Sequence, residues 1–141
     1  MNFPKMEESI LEVWDAEKIF EKSIKNREGK PMYSFNDGPP FATGTPHYGH
    51  IVASAIKDTV PRYFTMKGFQ VERKWGWDCH GLPAEVFTEQ KLGIKSKQDV
   101  YEIGLEKYIM TCRENMVQTG SLWEDTIDRV GRWVDFKGAY K

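Results

Sequence analysis

Between residues 5 and 20 the apolar positions Met6, Ile10, Val13, Trp14 and Phe20 recur at helical spacing, while Glu7, Glu8, Glu12 and Asp15 fill the opposite face. This pattern predicts an amphipathic helix. Residues 23–30 are charged and end beside a glycine, and so read as a connector. Residues 32–35 predict a short strand stopped by Gly38-Pro39-Pro40. Residues 36–46 hold two glycines and three prolines, a loop too constrained in φ to serve as a linker. After it, Ile51, Val52, Ala55, Ile56, Thr59, Val60, Tyr63 and Phe64 form one stripe, which predicts a long helix from near His47, kinked at Pro61 and ended near Gly68. Residues 69–75 read as a second strand between Gly68 and Gly76. Strand, long helix and strand make a βαβ unit, which sets the strands parallel and places ligands at their carboxyl ends.

The rest of the chain is predicted to be mostly helical. Residues 84–92 form a helix closed by Gly93. Ser96 and Asp99 cap another that runs to about residue 116 and carries Val100, Ile103, Tyr108 and Cys112. A third helical stretch, residues 122–134, carries Trp123, Ile127 and Val130. The fold expected from the pattern is therefore α/β, a Rossmann-like parallel βαβ arrangement with an N-terminal helix and a helical C-terminal stretch.

Composition narrows the function. A hydrophobic share of 40% with 13% aromatics excludes a disordered chain, and 141 residues suffice for a single domain. Twenty basic against 21 acidic residues leave a formal charge of −1, so no bulk positive field draws this segment to nucleic acid. Cys79 and Cys112 each lack a second cysteine nearby, which argues against a zinc ribbon and for a reducing compartment. The opening residues are acidic, and no apolar run approaches the ~18 residues of a membrane span, so a cytoplasmic protein without a membrane partner is expected.

Two segments carry chemistry. The constrained loop leads into His47-Tyr48-Gly49-His50, which puts two imidazoles three residues apart on the first helical turn. A helix N-terminus already offers free N–H groups and a positive dipole end, so two further imidazole donors suit a polyphosphate. Gly49, without a side chain, lets a flat ring such as adenine lie against the backbone. Two alternatives compete: plain capping histidines, or a metal pair completed by Asp78, Cys79 or His80. The second segment is Trp75-Gly76-Trp77-Asp78-Cys79-His80-Gly81-Leu82-Pro83. Asp78 could accept from a cationic amine or simply cap a turn; Trp75 and Trp77 on their own read as core.

The stretch from Asp37 to His50, with His47-Tyr48-Gly49-His50 as its His-x-Gly-His signature, resembles the first motif of class I aminoacyl-tRNA synthetases. Gly76-Trp77-Asp78-Cys79-His80-Gly81-Leu82-Pro83 is similar to the isoleucyl branch in particular. Leucyl members usually place Ala-Phe where Cys79-His80 stands, and valyl members carry a Gly-Thr-Asp-His-Ala-Gly pattern. Phe3-Pro4, residues 19–23, Lys57-Asp58, Arg62-Tyr63 and Arg132-Trp133-Val134-Asp135-Phe136 extend the likeness over essentially the whole chain. Thr43 departs from the family's usual Asn, with little consequence expected because a hydroxyl still bonds locally.

The resemblance implies an isoleucine-tRNA ligase that activates isoleucine with ATP and transfers it to tRNA(Ile). His47 and His50 would bind the ATP phosphates and act catalytically, and Gly49 would carry the adenine. Gly38, Pro39 and Asp78 would bind the amino acid, with Trp77 and His80 beside that pocket. Mg2+ would accompany ATP, and zinc is not expected in this segment. The family's Lys-Met-Ser-Lys-Ser signature is absent, and Lys95-Ser96-Lys97 reads as a solvated loop between helices. Residues 1–141 are thus expected to be a partial catalytic domain, inactive alone, with editing, second-signature and anticodon-binding regions elsewhere. Two other readings stand beside this one, a free-standing nucleotidyltransferase of the same fold and a non-catalytic interaction module derived from a synthetase.

Overall fold

The computed structural model describes residues 2–116, 118 and 120–141. Helix α1, Phe3–Ala16, starts where the Asn2 side chain accepts from the Lys5 amide, with Pro4 in the first turn, where a missing N–H costs nothing. The predicted helix over residues 5–20 is in fact two. The backbone turns left-handed at Lys18 (φ 51°), and α2, Ile19–Lys25, follows, extending into the predicted connector. Packing accounts for the break. Trp14 from α1 and Phe20 from α2 both close on Trp133, at centroid distances of 5.2 and 6.4 Å.

Helix α3, Tyr48–Met66, retains Pro61 in its interior. Before it, the predicted strand over residues 32–35 is reduced to one parallel bridge, Met32 with Gln70; a second joins Phe41 to Asp78. Pro39 and Pro40 have no amide hydrogen, so a ladder cannot run between these two points. The predicted second strand is also shorter and later, with β1 at Lys74–Gly76. From Val71 to Lys74 burial still alternates, Val71 and Arg73 in, Glu72 and Lys74 out, before Trp75, Gly76 and Trp77 all turn inward.

Beyond β1, α4 (Leu82–Leu92) ends at Gly93 as expected. The predicted 96–116 helix starts at the Ser96/Asp99 capping box but is cut at Gly104 into α5 (Lys97–Ile103) and α6 (Leu105–Asn115). Gly104 has φ 91°, which side-chain-bearing residues rarely adopt, so the helix cannot continue through it. The third predicted helix ends early: α7 covers Gly120–Arg129. After a turn at Gly131 the chain forms β2, Asp135–Tyr140, parallel to β1 with Lys74 opposite Asp135. This strand was not predicted. The fold is α/β with parallel pairing, the extended 31–42 segment flanking one side of the β1 region and β2 the other.

The core gathers Ala42, Trp75, Trp77, Trp123 and Ile127, with Phe136 stacked on Trp75 at 4.5 Å. Two arginines are buried beside it. Arg73 donates to the Pro61 carbonyl and to the Thr65 and Ser23 hydroxyls, and burial pulls its guanidinium down to about 10. Arg132 pairs with the buried Asp37 carboxylate.

Candidate active site

His47 is the N-cap of α3, and the helix begins with a reciprocal bond pair. The Gly49 amide donates to His47 Nδ1 at 3.1 Å, and the His47 amide donates to His50 Nδ1 at 3.2 Å. The two rings stack at 3.7 Å. Histidine here takes the parts that Ser and Glu play in an ordinary capping box. A neutral imidazole carries one proton, so an Nδ1 that accepts places the N–H on Nε2. Both Nε2–H groups are thereby set as donors away from the backbone, at the positive end of a 19-residue helix. Burial first, then the neighbouring His47 and Lys57, lowers the pKa of His50 and favours this neutral form.

Gly49 has a steric reason to be glycine. A Cβ there would stand 3.0 Å from His47 Cε1 and 3.2 Å from Nδ1, so a side chain would crowd the His47 ring and make it shift by a few tenths of an ångström.

Asp78 lies at the carboxyl end of the β1 region, where its backbone pairs with the loop that precedes α3. Its amide donates to the Pro40 carbonyl at 2.8 Å and its carbonyl accepts from Ala42 at 2.9 Å. The carboxylate is partly exposed and accepts from the His80 amide through Oδ1. Trp77 is in the core against Trp75 and Trp123. His80 is exposed and lines a cavity of about 550 Å³ with Cys79, Cys112 and Lys141. No group of three His, Cys, Asp or Glu side chains among the described residues is placed to hold a metal ion.

Two site-building residues escaped the sequence reading. Asp37, with its side chain 3% exposed, pairs with Arg132 at 2.6 Å and Lys57 at 2.5 Å. Lys57 Nζ also donates to the Gly38 carbonyl at 2.6 Å, which ties the loop carrying Gly38 and Pro39 to α3. An acid directly before Gly-Pro-Pro was the available signal. The other is Trp123, whose indole N–H donates to the Gly44 carbonyl at 3.1 Å while its ring lies 4.6 Å from that of His50. A tryptophan on an amphipathic helix reads only as core, and no sequence signal marks its second contact.

Of the predicted residues the structure unites His47, Gly49 and His50 at the start of α3 with Gly38 and Pro39, fastened to that helix, and with Asp78, paired to the same loop; Trp77 instead belongs to the core, and His80 lines the cavity it shares with Cys79 and Cys112. The carboxyl ends of parallel strands and a helix N-terminus are where α/β proteins generally hold nucleotides. The chain matches the family "tRNA synthetases class I (I, L, M and V)" over residues 9–141 and belongs to it. Relatives similar over the whole chain are named isoleucine–tRNA ligases. The chain is 57% identical over 141 residues to the isoleucine–tRNA ligase 2 of Pseudomonas fluorescens, and 54% identical over 140 residues to the cytoplasmic isoleucine–tRNA ligase of Saccharomyces cerevisiae. It is 50% identical over 141 residues to the isoleucine–tRNA ligase of Treponema denticola. These matches take in 99–100% of this chain but only 13–14% of each relative's length. Among the described residues no helix is long and apolar enough to cross a membrane.

Proposed function

We propose that residues 1–141 are the amino-terminal part of the catalytic domain of a cytoplasmic isoleucine–tRNA ligase, which activates isoleucine to isoleucyl-adenylate and transfers it to tRNA(Ile). The observation that carries this reading is the His47–His50 pair: both Nδ1 atoms are taken by backbone amides, which leaves two Nε2–H donors at the start of α3. Whole-chain identity to ligases disfavours a free-standing nucleotidyltransferase or an interaction module.

His47 and His50 donate to ATP phosphate oxygens and stabilise the charge that grows as the α-phosphorus becomes five-coordinate, with no covalent enzyme intermediate. Because the donors are fixed beforehand by the capping bonds, little reorganisation is needed at the moment of reaction. Gly49 carries the adenine. Gly38 and Pro39 line the amino-acid side of the site, with Trp77 and His80 beside it. Asp78 accepts from the substrate ammonium, so that the substrate carboxylate faces the α-phosphate. Mg2+ accompanying ATP would neutralise phosphate charge, and among the described residues no group of three His, Cys, Asp or Glu is placed to hold it. Contacts to tRNA, editing and the second lysine-rich signature belong to regions outside this segment.

Isoleucine-dependent exchange of pyrophosphate into ATP, measured on the full-length protein, tests the proposal. His50→Ala is expected to raise the activation barrier by about 3 kcal/mol, the usual loss for one oxyanion-type donor. Unchanged exchange would refute the role. Asp78→Ala should raise the KM for isoleucine more than that for ATP.

A further inference from the structure

Helix α3 bears the two imidazoles at its start and Lys57 two turns later. The Lys57 side chain is 25% exposed, and its ammonium reaches across to the loop before Pro39, 2.6 Å from the Gly38 carbonyl and 2.5 Å from Asp37 Oδ1. The other carboxylate oxygen of Asp37 accepts from Arg132 at 2.6 Å. Its backbone carbonyl accepts from the Tyr140 hydroxyl at 3.2 Å. Three elements far apart in sequence, α3, the turn after α7 and β2, therefore converge on Asp37 and Gly38. No sheet ladder can do this work, since Pro39 and Pro40 lack amide hydrogens and the nearest backbone pairings lie at Tyr33 and at Pro40–Ala42. Without Lys57, the Gly38 carbonyl keeps no bond to α3.

We propose that Lys57 is a positioning residue that holds the Gly38–Pro39 loop in register with His47 and His50. This rests on the adenylate-forming reading above. Lys57 and His50 stand seven residues apart on one helix, about 10 Å along its axis, so the loop and the imidazoles move as one body. An in-line attack of the amino-acid carboxylate on the α-phosphorus needs that alignment, and displacement of about 1 Å costs on the order of 100-fold in rate.

The test is Lys57→Met in the full-length protein, assayed by isoleucine-dependent pyrophosphate exchange with rates normalised to titrated active sites. Loss of a charge-assisted hydrogen bond should lower kcat/KM for isoleucine by roughly 10- to 100-fold, with the KM for ATP changing less than about threefold. Tyr140→Phe removes one neutral hydrogen bond to the same loop and should shift kcat/KM for isoleucine the same way by only about three- to tenfold. An unchanged kcat/KM for isoleucine in Lys57→Met, or equal rises in the KM for both substrates, overturns the assignment. If the unmodified protein itself shows no isoleucine-dependent exchange, the functional reading falls and this inference falls with it; an active parent with an unaffected variant removes the inference alone.

Discussion

Trp123 and Gly44 are 79 residues apart, yet the indole N–H of one donates to the carbonyl of the other at 3.1 Å. The same indole is 2% exposed and packs against His50, Trp75 and Trp77. A core residue of α7 thus fixes both the loop before the His-x-Gly-His turn and one of its imidazoles.

Trp123→Phe keeps an aromatic ring but loses the donor and part of the volume. The orphaned bond and small cavity should together cost about 1–3 kcal/mol of stability. Chemical denaturation should report that loss, and the KM for ATP should rise because His50 is no longer backed on one side. A variant of parental stability and ATP affinity would show that the Gly44 contact is incidental.

Gly49→Ala separates stability from activity. Alanine is favoured over glycine in a helix by about 1 kcal/mol, while displacing the His47 ring removes a capping bond of about the same worth. The melting temperature should therefore stay nearly constant while ATP-dependent exchange drops at least about tenfold, since the ring that moves is one of the two proposed phosphate donors. Full activity in this variant would mean that the His47 ring need not lie over the turn.

His50 gives the site a pH signature. Burial, then His47, then Lys57 lower its pKa below the ordinary ~6.5. A histidine whose folded value is the lower one binds fewer protons in the native state, so its protonation favours the unfolded chain. Its contribution is neutral above ~6.5, turns destabilising as the pH falls through that value, and is complete below the folded value. NMR titration of labelled histidine Cε1, assigned with His50→Gln, should place the midpoint under ~6.5. Lys57→Met should move it upward by removing a nearby positive charge. A midpoint at or above ~6.5 would contradict the assignment.

Much of the architecture was legible from residue pattern. The stripe after His47 gave a long helix, Ser96 with Asp99 gave a capping box, and Gly93 gave a helix end; each is a local preference expressed within four or five residues. The errors share another cause. The first helix breaks at Lys18 because Trp14 and Phe20 meet Trp133 from opposite sides of a turn, a contact more than 110 residues away in sequence. Gly104 was read through because the apolar periodicity on either side stays in phase. The strand Asp135–Tyr140 has charged residues and a glycine and little alternation; it exists because β1 offers it a partner, with the Asp135 amide donating to the Arg73 carbonyl.

The site divides in the same way. What the order of residues settled by itself was the local chemistry: two imidazoles on one helical turn, a glycine between them, a proline-stiffened approach and an aspartate after a short strand. Those features depend on neighbours close in the chain, where covalent geometry and helix periodicity leave few choices. Folding in three dimensions decided how the pieces are held. Lys57 and Arg132 close on Asp37, Tyr140 reaches the same loop, and Trp123 braces His50. These contacts join positions up to 103 residues apart, and long-range burial and charge pairing leave no periodic trace in a sequence.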